Sequence, residues 1–229
     1  MECRWLRQES ADELLIFFNG WGMDERIGEH LLANSLETGW IGDMLICYNY
    51  SALRFDNDVM EQVKRYKQRR LIAWSFGVWA AQQIALPPMA QAVAINGTLH
   101  PIDAEKGIRA EVFQATLAGW SEENRHRFNR RMCGSSEALA LFTSIAPNRS
   151  ANNQQQELAR LQQHVQATTT TARNWNYSHA ILGERDLIFP LQQQKAAWAG
   201  TPQTIIADMP HFPFLHFTTI QELLACLSR

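Results

Sequence analysis

Apolar residues in this 229-residue chain fall into short unbroken runs, separated by stretches in which they recur every third or fourth position. The runs LLIFF (14–18), MLICYNY (44–50), RLIAW (70–74) and QAVAIN (91–96) carry no polar alternation until their ends. That is the habit of strands buried on both faces of a parallel sheet. The intervening segments 26–36, 57–67 and 76–86 have helical spacing. Two later runs, HAIL (179–182) and TIIADM (204–209), predict further strands with a helix at 191–198 between them. A closing helix is expected over 219–227, where Thr219 and Glu222 form a T-x-x-E capping pattern. Strand–helix alternation of this kind predicts an α/β fold: a mostly parallel central sheet with helices on both faces.

The alternation breaks once. Between about 98 and 175 no strand pattern occurs; short amphipathic helices are followed by a long polar one (153–166) and the threonine run 168–171. The chain thus divides into a core, 1–97 and 176–229, and a helical insertion, 98–175, placed where a lid over the sheet's edge belongs. The insertion holds nine Lys and Arg against seven Asp and Glu, whereas the rest holds twelve against sixteen.

Composition narrows the function classes. A net charge of −2 provides no basic field for nucleic acid. No apolar run is long enough for a membrane span or a signal-peptide core, so a cytoplasmic protein, expected to be monomeric, is the default. Asn-x-Ser/Thr triplets at Asn96, Asn148 and Asn176 are then chance matches. Cys3, Cys47, Cys133 and Cys226 form no CxxC pair, which argues against a zinc site and a disulfide framework. Cys47, inside an apolar run, reads as core.

Ligands of open α/β sheets bind outside the carboxyl ends of the strands. The predicted strand ends are followed by NGWGMD (19–24), Ser75, GERD (183–186) and PHFPFLHF (210–217). Together these supply a glycine-rich turn, a hydroxyl, a carboxylate and an imidazole. Ser75 could merely cap the helix it precedes; alternatively, it is the serine of a nucleophile elbow, a strained strand-to-helix turn. A serine hydroxyl attacks only if a base takes its proton, a task that suits histidine, with a carboxylate fixing the imidazole. The order Ser75, Asp186, His211 is that of the α/β-hydrolases. His216 is the competing imidazole, and Asp103 and Asp208 are the rival carboxylates, Asp208 falling inside a predicted strand. Backbone N–H groups of Trp21 and Phe76 are placed to form an oxyanion hole. Ala73 stands where the G-x-S-x-G elbow has its first glycine, while Gly77 keeps the second.

FFNGWGMD (17–24), AWSFGVWAA (73–81), GERDLIFP (183–190) and MPHFPFLHF (209–217) resemble the BioG type of pimeloyl-[acyl-carrier-protein] methyl ester esterases and, more distantly, the BioH type. Asn19-Gly20 replaces the His-Gly of general hydrolases and favours the BioG type. The resemblance implies a serine esterase of biotin synthesis that needs neither metal nor other cofactor. It would free the carboxyl of a pimeloyl chain carried by an acyl carrier protein. In SEENRHRFNRRMCG, Arg127, Arg130 and Arg131 share one helix face, with Arg125 nearby. They are either a solvated basic face or a docking patch for an acidic carrier protein. Trp21, Trp74, Phe113, Trp120, Phe128 and Met132 are candidates for the acyl pocket; aromatics so placed can equally be plain core. A general short-chain carboxylesterase or thioesterase, and a hydrolase-fold binding protein without turnover, are the alternatives.

Overall fold

A computed structural model describes residues 1–9, 12–168 and 175–226. In its first half the elements run β1 (Glu2–Arg7), β2 (Glu13–Phe18), α1 (Arg26–Glu37), β3 (Asp43–Tyr48), α2 (Asn57–Arg65), β4 (Gln68–Trp74), α3 (Phe76–Ala81) and β5 (Gln91–Ile95). Four helices follow without a strand: α4 (Ala110–Ala118), α5 (Glu122–Cys133), α6 (Ser136–Ser144) and α7 (Ala151–Ala167). The chain then returns through β6 (His179–Gly183), α8 (Leu191–Ala197), β7 (Gln203–Ile206) and α9 (Ile220–Ala225).

The seven strands form one sheet in the order β1-β3-β2-β4-β5-β6-β7. All pairs are parallel except β1 with β3. Leu14 to Phe18 of β2 and Met44 to Cys47 of β3 are buried throughout, as expected for strands covered on both sides. Each such large side chain contributes roughly 1.5–3 kcal/mol of burial free energy. Register fixes the site: Phe17 lies opposite Ile72 and Phe18 opposite Ala73, so the turn after β2 and the turn after β4 leave the sheet side by side. Trp74 pairs with Ile95, which brings Asn96 to the same edge.

Local chemistry marks the helix boundaries of the strand-free stretch. Ser121, Ser135 and Ser150 cap α5, α6 and α7 with side-chain oxygens that accept from the N–H of Asn124, Ala138 and Asn153. Gly134, with φ +68°, ends α5 in the left-handed conformation that glycine adopts without strain. The Thr219–Glu222 capping box opens α9.

Several elements differ from the sequence pattern. β1 was not expected. It is an antiparallel edge strand that alternates half-buried Cys3 and Trp5 with charged residues, so it lacks an apolar run. The third strand stops at Tyr48, because Asn49 takes φ +53°. The last strand stops at Ile206; Asp208 lies in a turn at φ +60°, not inside a strand. The helix after Ser75 ends at Ala81, short of the expected residue 86. Residues 169–171 of the threonine run, and the expected end of the last helix at 227, lie outside the described residues.

Among the described residues no cysteine forms a disulfide, although the antiparallel pairing of β1 with β3 brings the Cys3 and Cys47 sulfurs to 3.6 Å. Among the described residues no helix is long and apolar enough to cross a membrane, and no group of three or more His, Cys, Asp or Glu could hold a metal ion.

Candidate active site

Ser75 follows the end of β4 with φ +59° and ψ −129°, a region non-glycine residues seldom occupy. The strain is held by its neighbours. The Ser75 N–H donates to the Ile95 carbonyl at 2.9 Å, and α3 starts at once. A Cβ added at Gly77 would collide with the carbonyl oxygens of Phe18 and Asn19, so only glycine lets the turn sit this close to β2. Ala73, fully buried, is small enough for the other elbow position. The Ser75 side chain caps nothing in α3. Its Oγ lies 2.9 Å from His211 Nε2 instead. Backbone strain at a polar side chain aimed at an imidazole is a pattern associated with functional sites.

His211 Nδ1 lies 2.8 Å from Asp186 Oδ2. The Asp186 carboxylate is itself fixed: Oδ1 accepts from the N–H of Ile188 at 2.7 Å and of Phe189 at 2.8 Å, and Oδ2 accepts from Gln194 Nε2 at 3.1 Å. All three side chains are buried, Ser75 at 7%, His211 at 2% and Asp186 at 4% exposed. In the tautomer protonated at Nδ1, the imidazole donates to Asp186 and offers the Nε2 lone pair to the serine hydroxyl. Phe189 stacks on the imidazole at 5.9 Å, with the planes 12° apart. The rivals are elsewhere. His216 is exposed. Asp103 accepts from the N–H of Glu105 and Lys106 in a surface turn, and Asp208 pairs with Arg185.

The backbone under His211 is also tied. Its carbonyl accepts from Trp74 Nε1 at 2.9 Å and Asn96 Nδ2 at 3.0 Å. Asn96 Oδ1 accepts from the Gly183 N–H at 2.7 Å, so one amide links the strand end before Asp186 to the loop carrying His211. Asn96 sits at φ +46°, a conformation asparagine tolerates better than most residues. Neither Asn96 nor Gln194 was picked out from the sequence; the signal available was an asparagine ending an otherwise apolar strand run.

Trp21 lies in the turn after β2, and Phe76 is the first residue of α3. Among the described residues neither backbone N–H has a protein acceptor. Asn19 braces that turn from within: Oδ1 accepts from the Gly20 N–H at 2.9 Å, and Nδ2 donates to the Asp24 carbonyl at 2.7 Å. This is the work of the residue standing where general hydrolases carry His.

A mostly apolar cavity of about 540 Å³, counting its open mouth, reaches Ser75 and His211. Trp21, Trp74, Phe113, Phe128 and Met132, five of the six acyl-pocket candidates, line it. Trp120 does not; it packs behind, 4.5 Å from Trp21 and 5.4 Å from Phe128 between ring centroids. Trp74 also holds the His211 backbone, a structural task the sequence did not announce. Arg131 lines the same cavity with its guanidinium carbon 5.8 Å from the Phe128 ring centroid. The other three arginines divide. Arg125 pairs with Glu122 and donates to the Arg149 carbonyl at 2.8 Å. Arg127 pairs with Glu123 on its own helix. Arg130 has no ion pair among the described residues.

A family profile described as pimeloyl-ACP methyl esterase BioG matches residues 1–223. The crystal structure of BioG from Haemophilus influenzae superposes with a TM-score of 0.83 at 30% identity, covering 97% of this chain and 99% of that one. A malonyl-[acyl-carrier protein] O-methyltransferase of Bacteroides fragilis is 40% identical over 86% of this chain, a match that spans only 38% of that longer protein. At 12% identity, a lipase-esterase related protein from Clostridium acetobutylicum shares the fold alone, with a TM-score of 0.64 over 99% of this chain and 98% of that one.

Proposed function

Because the chain belongs to the BioG family of pimeloyl-ACP methyl esterases and has the α/β-hydrolase fold, we propose that it is a serine hydrolase. Its substrate would be the methyl ester of a pimeloyl chain carried on an acyl carrier protein. The observation that carries the catalytic part is the continuous set of contacts from Ser75 Oγ through His211 to Asp186, 2.9 and 2.8 Å, within an apolar cavity. The substrate is supported by family membership and by the B. fragilis relative, whose name describes methylation of a carrier-bound malonyl group. A methyl ester made by such chemistry is what an esterase of this family would remove.

The steps follow from the contacts. As Ser75 Oγ attacks the ester carbonyl carbon, His211 Nε2 takes the hydroxyl proton, and Asp186 stabilises the resulting imidazolium. The tetrahedral intermediate's oxyanion is held by the N–H groups of Trp21 and Phe76; one such donor is typically worth about 10²–10³ in rate. Collapse breaks the carbon–methoxy bond, and methanol leaves with the proton from His211. Water, deprotonated by the same imidazole, then attacks the acyl-serine and releases the free carboxylate and Ser75. Helices α4 to α7 serve as a lid that shapes the acyl channel. The proposed carrier contact rests on Arg130 and on Arg131 at the mouth of the cavity, since Arg125 and Arg127 already have carboxylate partners.

The test is direct. Wild-type protein should be labelled by a fluorophosphonate probe and should release methanol from carrier-bound pimeloyl methyl ester. Ser75→Ala should do neither. Absence of labelling in the wild type would leave a binding protein of hydrolase fold. Equal kcat/KM on dimethyl pimelate and on the carrier-bound ester would leave a general carboxylesterase.

A further inference from the structure

The turn 19–24 that carries Trp21 is anchored by the segment 148–157 at four successive residues. Trp21 Nε1 donates to the Gln154 carbonyl at 2.8 Å. The carbonyl of Gly22 accepts from Gln154 Nε2 at 2.8 Å, and its N–H donates to Glu157 Oε2 at 3.2 Å. Arg149 reaches the Met23 carbonyl at 3.0 Å. The Asn148 N–H donates to Asp24 Oδ2 at 2.6 Å.

At the centre of these contacts is an ion pair, Arg149 to Glu157 at 2.7 Å, with 8% and 0% of the side chains exposed. Glu157 is engaged at both oxygens, because Oε1 accepts from the Tyr50 N–H at 2.8 Å. Tyr50 in turn donates its hydroxyl to the Asn19 carbonyl at 2.6 Å. Burial pushes the Glu157 carboxyl above its ordinary range, against the pull of Arg149 and the two N–H donors. A buried pair is weak evidence for stability and is often replaceable by apolar side chains. Its placement against one turn of backbone asks for another explanation.

We infer that Glu157 and Arg149 are positioning residues which hold the Gly20–Gly22 backbone so that the Trp21 N–H meets the developing oxyanion. This rests on the serine-esterase reading of Ser75. It also makes α7 a fixed wall of the site: α7 cannot lift without pulling three contacts off the turn, two from Gln154 and one from Glu157. Misplacement of a catalytic group by about 1 Å can cost on the order of 10² in rate. An oxyanion donor held loosely loses part of the stabilisation it gives when preorganised.

The experiment compares wild type with Glu157→Gln, which keeps the volume of the side chain and removes its charge. Rates on dimethyl pimelate are normalised to active sites titrated to completion with a fluorophosphonate. Glu157→Gln should lower kcat about 10- to 10²-fold with KM changed less than about twofold. It should weaken a trifluoromethyl ketone of matching chain length by the same factor as kcat/KM, since that adduct places an alkoxide where the oxyanion forms. Unchanged kcat per titrated site, whatever happens to the melting temperature, overturns the inference. Should Glu157→Gln fail to unfold cooperatively, Arg149→Lys, which keeps the charge but cannot reach Asn153, Glu157 and the Met23 carbonyl at once, decides instead. A parallel loss of kcat/KM and ketone affinity supports the inference, and an unchanged kcat overturns it. A wild type that takes no fluorophosphonate contradicts the serine-esterase reading instead, and is distinguishable on that ground.

Discussion

Helix α5 holds Arg127 and its ion partner Glu123 in water, each about three-quarters exposed, whereas α7 turns Glu157 so far inward that none of its side chain is exposed. The two helices belong to one strand-free stretch and are both rich in polar residues. Their polar groups have opposite uses. Those of α7 satisfy the backbone of the turn after β2, a set of N–H and C=O groups that would otherwise be buried without partners. Arg130 and Arg131 of α5 have no carboxylate partner among the described residues; Arg131 lines the cavity, and Arg130 lines an adjoining pocket that shares Trp21, Met23 and Phe128 with it. On the proposed function, the difference would separate positioning the reaction from receiving the substrate. It also says which measurement responds to which helix: α7 should act on every ester alike, α5 on the carrier-bound one.

The scale is set by Ser75→Ala. If the elbow serine is the nucleophile, turnover of free and carrier-bound ester should both fall on the order of 10⁴- to 10⁶-fold, read as methanol release. A loss confined to one substrate would break the comparison at its root, because the two would not share a centre. Beneath that lies Glu157→Gln, with the 10- to 10²-fold loss argued above. It sharpens the comparison if the factor is the same on both substrates. A loss greater on the carrier-bound ester would place α7 in docking and erase the distinction.

Asn96→Ala tests the sheet edge from which the loop carrying His211 is held. It removes donors to the Pro210 and His211 carbonyls and strands the buried Gly183 N–H, at a residue with positive φ. Leaving such groups unsatisfied costs about 1–3 kcal/mol, so the melting temperature should fall by several degrees. Turnover per titrated site should drop by less than in Glu157→Gln, since Trp74 still holds the His211 carbonyl. An unchanged melting temperature would mean that this link does not brace the loop.

How much of this was legible in the sequence follows the same division. The buried strands β2 to β5 were readable because a strand covered on both faces must be apolar without interruption. That Ser75, Asp186 and His211 meet was readable because the ends of such strands converge on one edge, and few polar residues stand there. β1 was not readable, since an edge strand half in water alternates and its charges hide Cys3 and Trp5. Glu157 and Arg149 were hidden for a different reason. A buried charge in a polar helix has the same letters as an exposed one, and only the backbone it faces tells them apart. Asp208 shows the converse error: the apolar run TII was extended too far, through a residue that lies in a turn and pairs with Arg185.

The smallest effects belong to α5 and are the most discriminating. Arg130→Ala should lower the ratio of carrier-bound to free ester turnover about two- to fivefold at low salt, because a rim charge acts mainly on encounter rate and is screened within about 10 Å at 0.1 M ionic strength. Raising the salt should shrink the difference between wild type and variant. Arg127→Ala, on the same helix, is the control. Its guanidinium is already paired with Glu123 one turn earlier, and an exposed pair at that spacing contributes only about 0.3–0.5 kcal/mol. The ratio should therefore stay within experimental error while the melting temperature moves by a degree or so. A salt-dependent loss from Arg127→Ala as large as that from Arg130→Ala would mean that Glu123 releases its partner to the carrier protein. Docking would then belong to the whole basic face of α5, and a carboxylate neighbour would no longer be a reason to set an arginine aside.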